Sequence, residues 1–142
     1  MASPLAKVLP TLGIKRALIV HGTDGMDEIS VGAPTQVHEV RDGKEHAYEI
    51  RPEDFGFSPA SKDAIRGGTP EENAKTLIRT LKGEEQGAKF DIVVFNAMFA
   101  LYTADGAKSP DEAKKMVLEA INSGKAYKFY EEFIKAGANG VS

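Results

Sequence analysis

The stretch Ala17-Leu18-Ile19-Val20-His21-Gly22-Thr23-Asp24-Gly25-Met26-Asp27-Glu28-Ile29-Ser30 decides the reading of this 142-residue chain. Four apolar residues run unbroken into a short segment that holds three carboxylates (Asp24, Asp27, Glu28) and two glycines. An unbroken apolar run ending in such a loop predicts a strand buried on both faces, the pattern of parallel sheets. In open α/β sheets, ligands gather in the crevice beyond the carboxyl ends of the strands. The adjacent acids Asp27 and Glu28 are hard oxygen donors of the kind that suit Mg²⁺. That ion keeps several waters and takes only one or two protein carboxylates plus substrate phosphates. Gly22 and Gly25 allow backbone angles and close approaches that a Cβ resists. The loop therefore reads as one that holds Mg²⁺ against a phosphorylated ligand. The plainer alternative is a solvated acidic turn, because carboxylates alone fit many sites.

Outward from this loop the chain organises compactly. Leu5 to Leu12 has helical character that Pro10 should kink or end. Gln36-Val37-His38-Glu39-Val40 and His46-Ala47-Tyr48-Glu49-Ile50 alternate polar and apolar residues around Arg41-Asp42-Gly43-Lys44. The Asp-Gly pair predicts a tight turn and an antiparallel hairpin. Pro52 to Ser58 reads as loop, and Ser61 to Ile65 as one helical turn or two.

Thr69-Pro70-Glu71-Glu72 opens a helix, with Thr69 capping, Pro70 in the first turn and Glu72 completing a capping box. Ala74, Leu77, Ile78 and Leu81 share its inward face, and Gly83 stops it. Ser109-Pro110-Asp111-Glu112 repeats the opening for a helix to about Asn122, with Ala113, Met116, Val117, Ala120 and Ile121 inward. After Gly124, residues Tyr127, Phe129, Tyr130, Phe133 and Ile134 mark a last amphipathic helix whose stripe reads as core. The expected fold class is α/β: a mixed, mostly parallel sheet with an antiparallel hairpin, packed by helices. Residues 1–142 are expected to form one domain.

Other candidate groups carry less. His38 and His46 sit on the hairpin and are expected at the surface. His21 ends the strand beside the acidic loop, where acid-base work is conceivable, although hydrogen bonding that shapes the loop is the plainer role. Ser30 and Ser58 have no adjacent base, so nucleophilic catalysis lacks support. Gly67-Gly68 before Thr69 reads as a turn and cap rather than an anion nest, given the acids that follow. Lys108, Lys114, Lys115 and Lys128 are expected to form a solvated face.

Composition is that of a globular protein, 42% hydrophobic and 27% charged. The net charge of -3 argues against a general nucleic-acid or membrane surface. Without cysteine there are no disulfides and no thiolate metal sites. No apolar stretch approaches the roughly 20 residues of a membrane span, and Met1-Ala2-Ser3-Pro4 does not read as a signal peptide.

The order of whole segments adds a resemblance. Leu12-Gly13-Ile14-Lys15-Arg16 leads into the strand and acidic loop, and Gly32-Ala33-Pro34-Thr35 follows. Further along come Glu49-Ile50-Arg51-Pro52-Glu53-Asp54-Phe55-Gly56, Gly67-Gly68-Thr69-Pro70-Glu71-Glu72-Asn73-Ala74, Asn96-Ala97 and Ser123-Gly124-Lys125-Ala126. In this order they resemble the anthranilate phosphoribosyltransferase family, of the glycosyltransferase family 3 and nucleoside phosphorylase-like class. The resemblance implies the C-terminal part of that family's α/β domain, with Asp27 and Glu28 as its metal-binding pair and Mg²⁺ as cofactor. It implies phosphoribosyl pyrophosphate and anthranilate as substrates of the full enzyme, in cytoplasmic tryptophan biosynthesis.

Family members carry a helical N-terminal domain, through which they form homodimers, and an upstream Gly-Thr-Gly-Gly-Asp pyrophosphate loop. Neither is recognisable here, so the chain is expected to need a complementary N-terminal part and to be inactive alone. Two other readings stay open: a fragment of a related nucleoside phosphorylase-like enzyme, or a non-catalytic folding or interaction module. The residues themselves leave Phe90 to Tyr102 open, since β-branched and aromatic content favours a strand while its length favours a buried helix. The resemblance, whose equivalent stretch is an alanine-rich buried helix, selects a helix over about Asp91 to Thr103.

Overall fold

The computed structural model describes residues 2–139. The apolar run and the two alternating segments become three strands: β1 (Arg16–Gly22), β2 (Thr35–Arg41) and β3 (Lys44–Ile50). They form one sheet in the order β1-β2-β3. The hairpin expected from Asp42-Gly43 is present, with Arg41 opposite Lys44 and both turn residues at positive φ, 50° and 75°. Such angles match the twist of a two-residue hairpin loop.

The expected parallel pairing is absent among the described residues, because β1 and β2 also pair antiparallel, from Arg16 opposite Arg41 to Gly22 opposite Thr35. Parallel neighbours need a crossover, usually a helix. The connection from β1 to β2 is instead an irregular loop over residues 23–34 that turns the chain straight back. β1 is therefore an edge strand, and its apolar residues are half-buried rather than enclosed on both faces.

Helices surround this sheet. Helix α1 (Ala2–Val8) runs into a 3-10 turn, Leu9–Leu12, that begins just before Pro10, and a further 3-10 turn spans Pro52–Phe55 in the expected loop. The short α2 (Lys62–Ile65) precedes α3 (Pro70–Leu81), α4 (Ala88–Thr103), α5 (Pro110–Asn122) and α6 (Lys125–Asn139). The ambiguous stretch is thus a helix. It is apolar almost all round, which only a buried helix tolerates, and Val94, Phe95, Met98 and Phe99 are within it at 3% exposure or less. Phe95 meets Phe55, Phe57 and Phe99 with ring centroids 5.0–5.8 Å apart. Val37 and Ile50 join this core from the sheet, and Leu18, Val20 and Tyr48 pack against it. On the opposite sheet face Val40 is buried, and Ala6 is buried in α1, which lies against β1 and β2.

One polar network ties sheet to helix. Arg16 pairs with Glu39 at 3.5 Å and with Asp105, and its guanidinium lies 4.1 Å from the Tyr102 ring centroid. Tyr48 donates to Glu39 at 3.0 Å, and burial together with that carboxylate pushes the Tyr48 hydroxyl far above its usual range.

Both N-caps form, but the reciprocal capping box is present only at Thr69, because the Glu112 carboxylate accepts from the Lys108 amide at 2.8 Å rather than from that of Ser109. Thr69 accepts from the Glu72 amide while Glu72 accepts from the Thr69 amide, and Ser109 accepts from the Glu112 amide. The inward faces are narrower than the periodicity suggests. Ala74, Leu77 and Met116 are exposed, and Thr80 is the residue of α3 that is fully covered. In α6 the stripe expected as core is largely outside, with Phe129 at 70% and Phe133 at 65% exposure. A 3.6-residue period identifies an apolar face, but only the packing of neighbours decides whether that face is covered.

Candidate functional site

β1 delivers its last residues, His21 and Gly22, into the loop 23–34, and that loop is held by its own polar groups. The Gly22 amide donates to the Met26 carbonyl at 3.0 Å, the Gly25 amide to the Gly22 carbonyl at 2.8 Å, and the Thr23 amide to the Pro34 carbonyl at 2.8 Å. Asp24 turns inward. It accepts from the Ser30 hydroxyl at 2.9 Å and from the Met26 amide at 3.3 Å, and Ser30 Oγ accepts in turn from the Gly32 amide at 2.9 Å. Thr35 Oγ1 takes the Ser30 amide at 3.0 Å, and Lys62 Nζ donates to the Asp24 carbonyl.

The two glycines serve the purposes their positions suggest. A Cβ on Gly22 would lie 2.6 Å from an Asp24 carboxylate oxygen, and Gly25 sits at φ 87°. Both are conformations or contacts that only glycine meets without strain.

A second anchor comes from α4. Asn96 Oδ1 accepts from the Ile29 amide at 2.9 Å, while Asn96 Nδ2 donates to the Ile29 carbonyl at 2.9 Å and the Ile92 carbonyl at 3.0 Å. Ile29 is itself 2% exposed.

Against this inward-facing frame, Asp27 and Glu28 stand out. Both are exposed, and among the described residues neither side chain has a hydrogen bond or ion pair. Partial burial and, secondarily, the neighbouring Asp27 charge raise the Glu28 carboxyl above its ordinary value. Two unneutralised carboxylates side by side are the donor set a divalent cation takes, and their oxygens are of the hard kind that suits Mg²⁺. Among the described residues no third acid, histidine or cysteine joins them. By the chemistry of its oxygens the pair is compatible with Mg²⁺ only as part of a shell that water or a phosphate would have to complete.

The other candidates separate from this loop. His21 is exposed on the outer sheet face opposite Gln36 and has no side-chain partner among the described residues, so the loop-shaping role expected of it belongs to Asp24 and Asn96 instead. His46 is at the surface, but His38 is half-buried, with Nδ1 2.7 Å from Glu45. Ser30 is buried and spent on the loop, and Ser58 is exposed.

The Gly68 amide is taken by Asn73 Oδ1 at 2.8 Å and the Thr69 amide by Glu72, which leaves a cap rather than an anion nest. Lys114 departs from the expected solvated face. Its Nζ donates to the Phe55 carbonyl at 2.6 Å and lies 4.0 Å from the Phe57 ring centroid. The bracing role of Asn96 is not read from the sequence, where the residue stands out only as a polar amide in an otherwise apolar run and as part of the Asn96-Ala97 segment of the resemblance.

Known proteins are similar to this chain in sequence and in shape. The chain is 48% identical over 131 residues to the anthranilate phosphoribosyltransferase of Symbiobacterium thermophilum, covering 92% of this chain and 38% of that protein. It is 45% identical over 135 residues to the enzyme of the same name from Methanobrevibacter smithii, covering 95% and 40%. The crystal structure of anthranilate phosphoribosyltransferase from Thermus thermophilus superposes with a TM-score of 0.85 at 40% identity, over 94% of this chain and 39% of that one. A Saccharomyces cerevisiae variant of the enzyme, solved with Mg bound, gives 0.87 at 25% identity, over 97% and 40%. The chain thus spans about two fifths of the length of these relatives. Residues 1–127 match the model of the glycosyl transferase family, a/b domain, and the chain belongs to that family.

Proposed function

We propose that this chain supplies the metal-facing part of an enzyme that transfers the phosphoribosyl group of phosphoribosyl pyrophosphate to the amine of anthranilate, in cytoplasmic tryptophan biosynthesis. The observation that carries the reading is the pair Asp27 and Glu28, exposed and without a side-chain partner among the described residues, on a loop whose Asp24 and Ser30 are turned inward on one another. That loop lies in a chain 48% identical to a protein named for this reaction. Because the chain covers only part of its relatives' length, the substrates are those of the whole enzyme, completed by an N-terminal part and assembled as a homodimer.

Asp27 and Glu28 would hold Mg²⁺. When bound, the ion neutralises charge that gathers on the departing pyrophosphate oxygens. The rest falls to positioning, which alone lowers barriers substantially when reactants are held in register. The Asp24, Ser30 and Asn96 bonds keep the loop backbone in one arrangement, so that receiving a cation would require ordering only the two carboxylate side chains and not the backbone beneath them. No side chain of the loop is needed as nucleophile or base, in keeping with the exposed, unpartnered His21 and the committed Ser30.

The test is the fluorescence of anthranilate in the presence of phosphoribosyl pyrophosphate and Mg²⁺. The polypeptide 1–142 alone should leave the signal unchanged. Combined with the part of the Symbiobacterium thermophilum enzyme outside the matched segment, it should consume anthranilate. In that assembly the double variant Asp27→Ala, Glu28→Ala should weaken metal-dependent turnover while circular dichroism shows an intact fold. Consumption by residues 1–142 alone would refute the division of labour, and an unchanged Mg²⁺ dependence in the double variant would refute the metal assignment.

A further inference from the structure

We infer that Asn96 is a positioning residue for the acidic pair: its amide bridges both backbone groups of Ile29 and so fixes where Glu28 and Asp27 leave the loop. The inference rests on the reading of Asp27 and Glu28 as the metal pair. Ile29 is buried at 2% exposure, yet it lies outside helix and strand and has no backbone partner among the described residues. Buried amides and carbonyls require partners, and here one side chain serves both, at 2.9 Å each.

The Ile29 amide belongs to the same peptide plane as the Glu28 carbonyl. Locking that plane therefore restricts the dihedral that aims the Glu28 side chain. Asn96 sits in the middle of α4, braced by its third bond, to the Ile92 carbonyl at 3.0 Å, and flanked in sequence by the buried Phe95. Asparagine is a mediocre helix former and an amide is costly among apolar neighbours. What its presence provides is the connection from the helix that carries Val94, Phe95, Met98 and Phe99 into the core to the backbone next to the two acids. Groups that orient ligand residues without touching the metal commonly change metal affinity by about 10- to 100-fold when removed.

The experiment follows amide resonances of ¹⁵N-labelled protein during titration with Mn²⁺, whose paramagnetism broadens nearby signals even when binding is weak. In the unaltered chain, broadening should concentrate at Asp27, Glu28 and Ile29. Asn96→Ala should need about tenfold more Mn²⁺ for the same broadening. Hydrogen exchange at the Ile29 amide should accelerate in that variant while the Val94 and Met98 amides stay protected. Asn96→Ser covers the case in which the alanine variant loses its dispersed spectrum. It keeps a hydroxyl for the Ile92 carbonyl, gives up both Ile29 bonds, and should show the same tenfold shift.

Asp27→Asn with Glu28→Gln separates the two ideas. Broadening that survives in that double variant overturns the metal reading itself. Broadening abolished there, but unaltered in the foldable Asn96 variant, overturns the positioning role alone.

Discussion

Replacing Asp24 by alanine should loosen the acidic loop without touching its two outward acids. The Ser30 hydroxyl, on a residue 1% exposed, donates to Asp24 Oδ2 at 2.9 Å. A hydrogen bond to a charged acceptor is worth about 1.5–3 kcal/mol, and a buried hydroxyl left without its partner costs a similar amount. The Met26 amide bond at 3.3 Å is long and adds less. Asp24→Ala should therefore destabilise the chain by about 2–3 kcal/mol, which at this size lowers the melting temperature by roughly 5–10 °C.

Ser30→Ala loses the same bond and also the one from the Gly32 amide at 2.9 Å, so a comparable loss of about 2 kcal/mol is expected. Because the two variants share one bond, the double variant should fall short of the sum by about 1–2 kcal/mol. Asp24→Asn, which keeps an oxygen but gives up the charge, should lie between the unaltered chain and Asp24→Ala. Urea unfolding followed by far-ultraviolet circular dichroism measures all four free energies. Additivity within about 0.5 kcal/mol would show that Asp24 and Ser30 do not act through one bond, and the account of the loop would fail.

Gly22→Ala places a methyl group 2.6 Å from Asp24 Oδ1 and 3.1 Å from the Ser30 Cβ, so it should cost about 1–3 kcal/mol by overpacking; an unaltered urea midpoint would contradict the close approach. Thr69→Ala removes one half of a capping box and should cost about 1 kcal/mol, seen as faster hydrogen exchange confined to the first turn of α3. Asp27→Asn should lower the Glu28 titration midpoint, followed by carboxyl ¹³C shifts, yet leave it above the ordinary value because burial is the larger cause. The sign for stability follows: a carboxyl raised in the folded chain binds its proton more tightly there than when unfolded. Its contribution therefore falls as pH rises between the ordinary and the raised value, and Asp27→Asn should narrow that window.

Local chemistry was the legible part of this sequence. Asp42-Gly43, Thr69 and Ser109 each specify a turn or cap through bonds to residues no more than three positions away, and each forms. The sheet was less legible because four apolar residues in a row say how buried a strand could be, not which strands flank it. Among the described residues β1 has an antiparallel neighbour on one side only. The stripes of α3, α5 and α6 illustrate the same limit, since Leu77, Met116 and Phe133 keep perfect helical spacing and are still exposed. That the acidic stretch follows a strand as a loop was legible, but its brace was not, because Asn96 lies 67 positions from Ile29 and only the fold brings the two together.

The division of roles within the loop sets how it should respond to ligands. Asp24, Ser30, Thr35 and Asn96 are occupied with backbone and with one another, so the frame is already organised before anything binds. Asp27 and Glu28 are neighbours in sequence with no ion-pair partner among the described residues, and the Glu28 carboxyl is raised first by partial burial and then by the Asp27 charge. A cation offsets that charge, but two carboxylates fill only part of a Mg²⁺ shell. Under the proposed function, affinity is then limited by the number of oxygens rather than by the readiness of the loop. A phosphate that completes the shell raises the affinity for the metal, and by reciprocity the metal raises the affinity for the phosphate by the same factor. Metal binding measured with inorganic pyrophosphate present should therefore be tighter than with Mg²⁺ alone, and Asp27→Ala with Glu28→Ala should abolish the difference. Equal metal affinity with and without pyrophosphate would separate the acidic pair from phosphate recognition altogether.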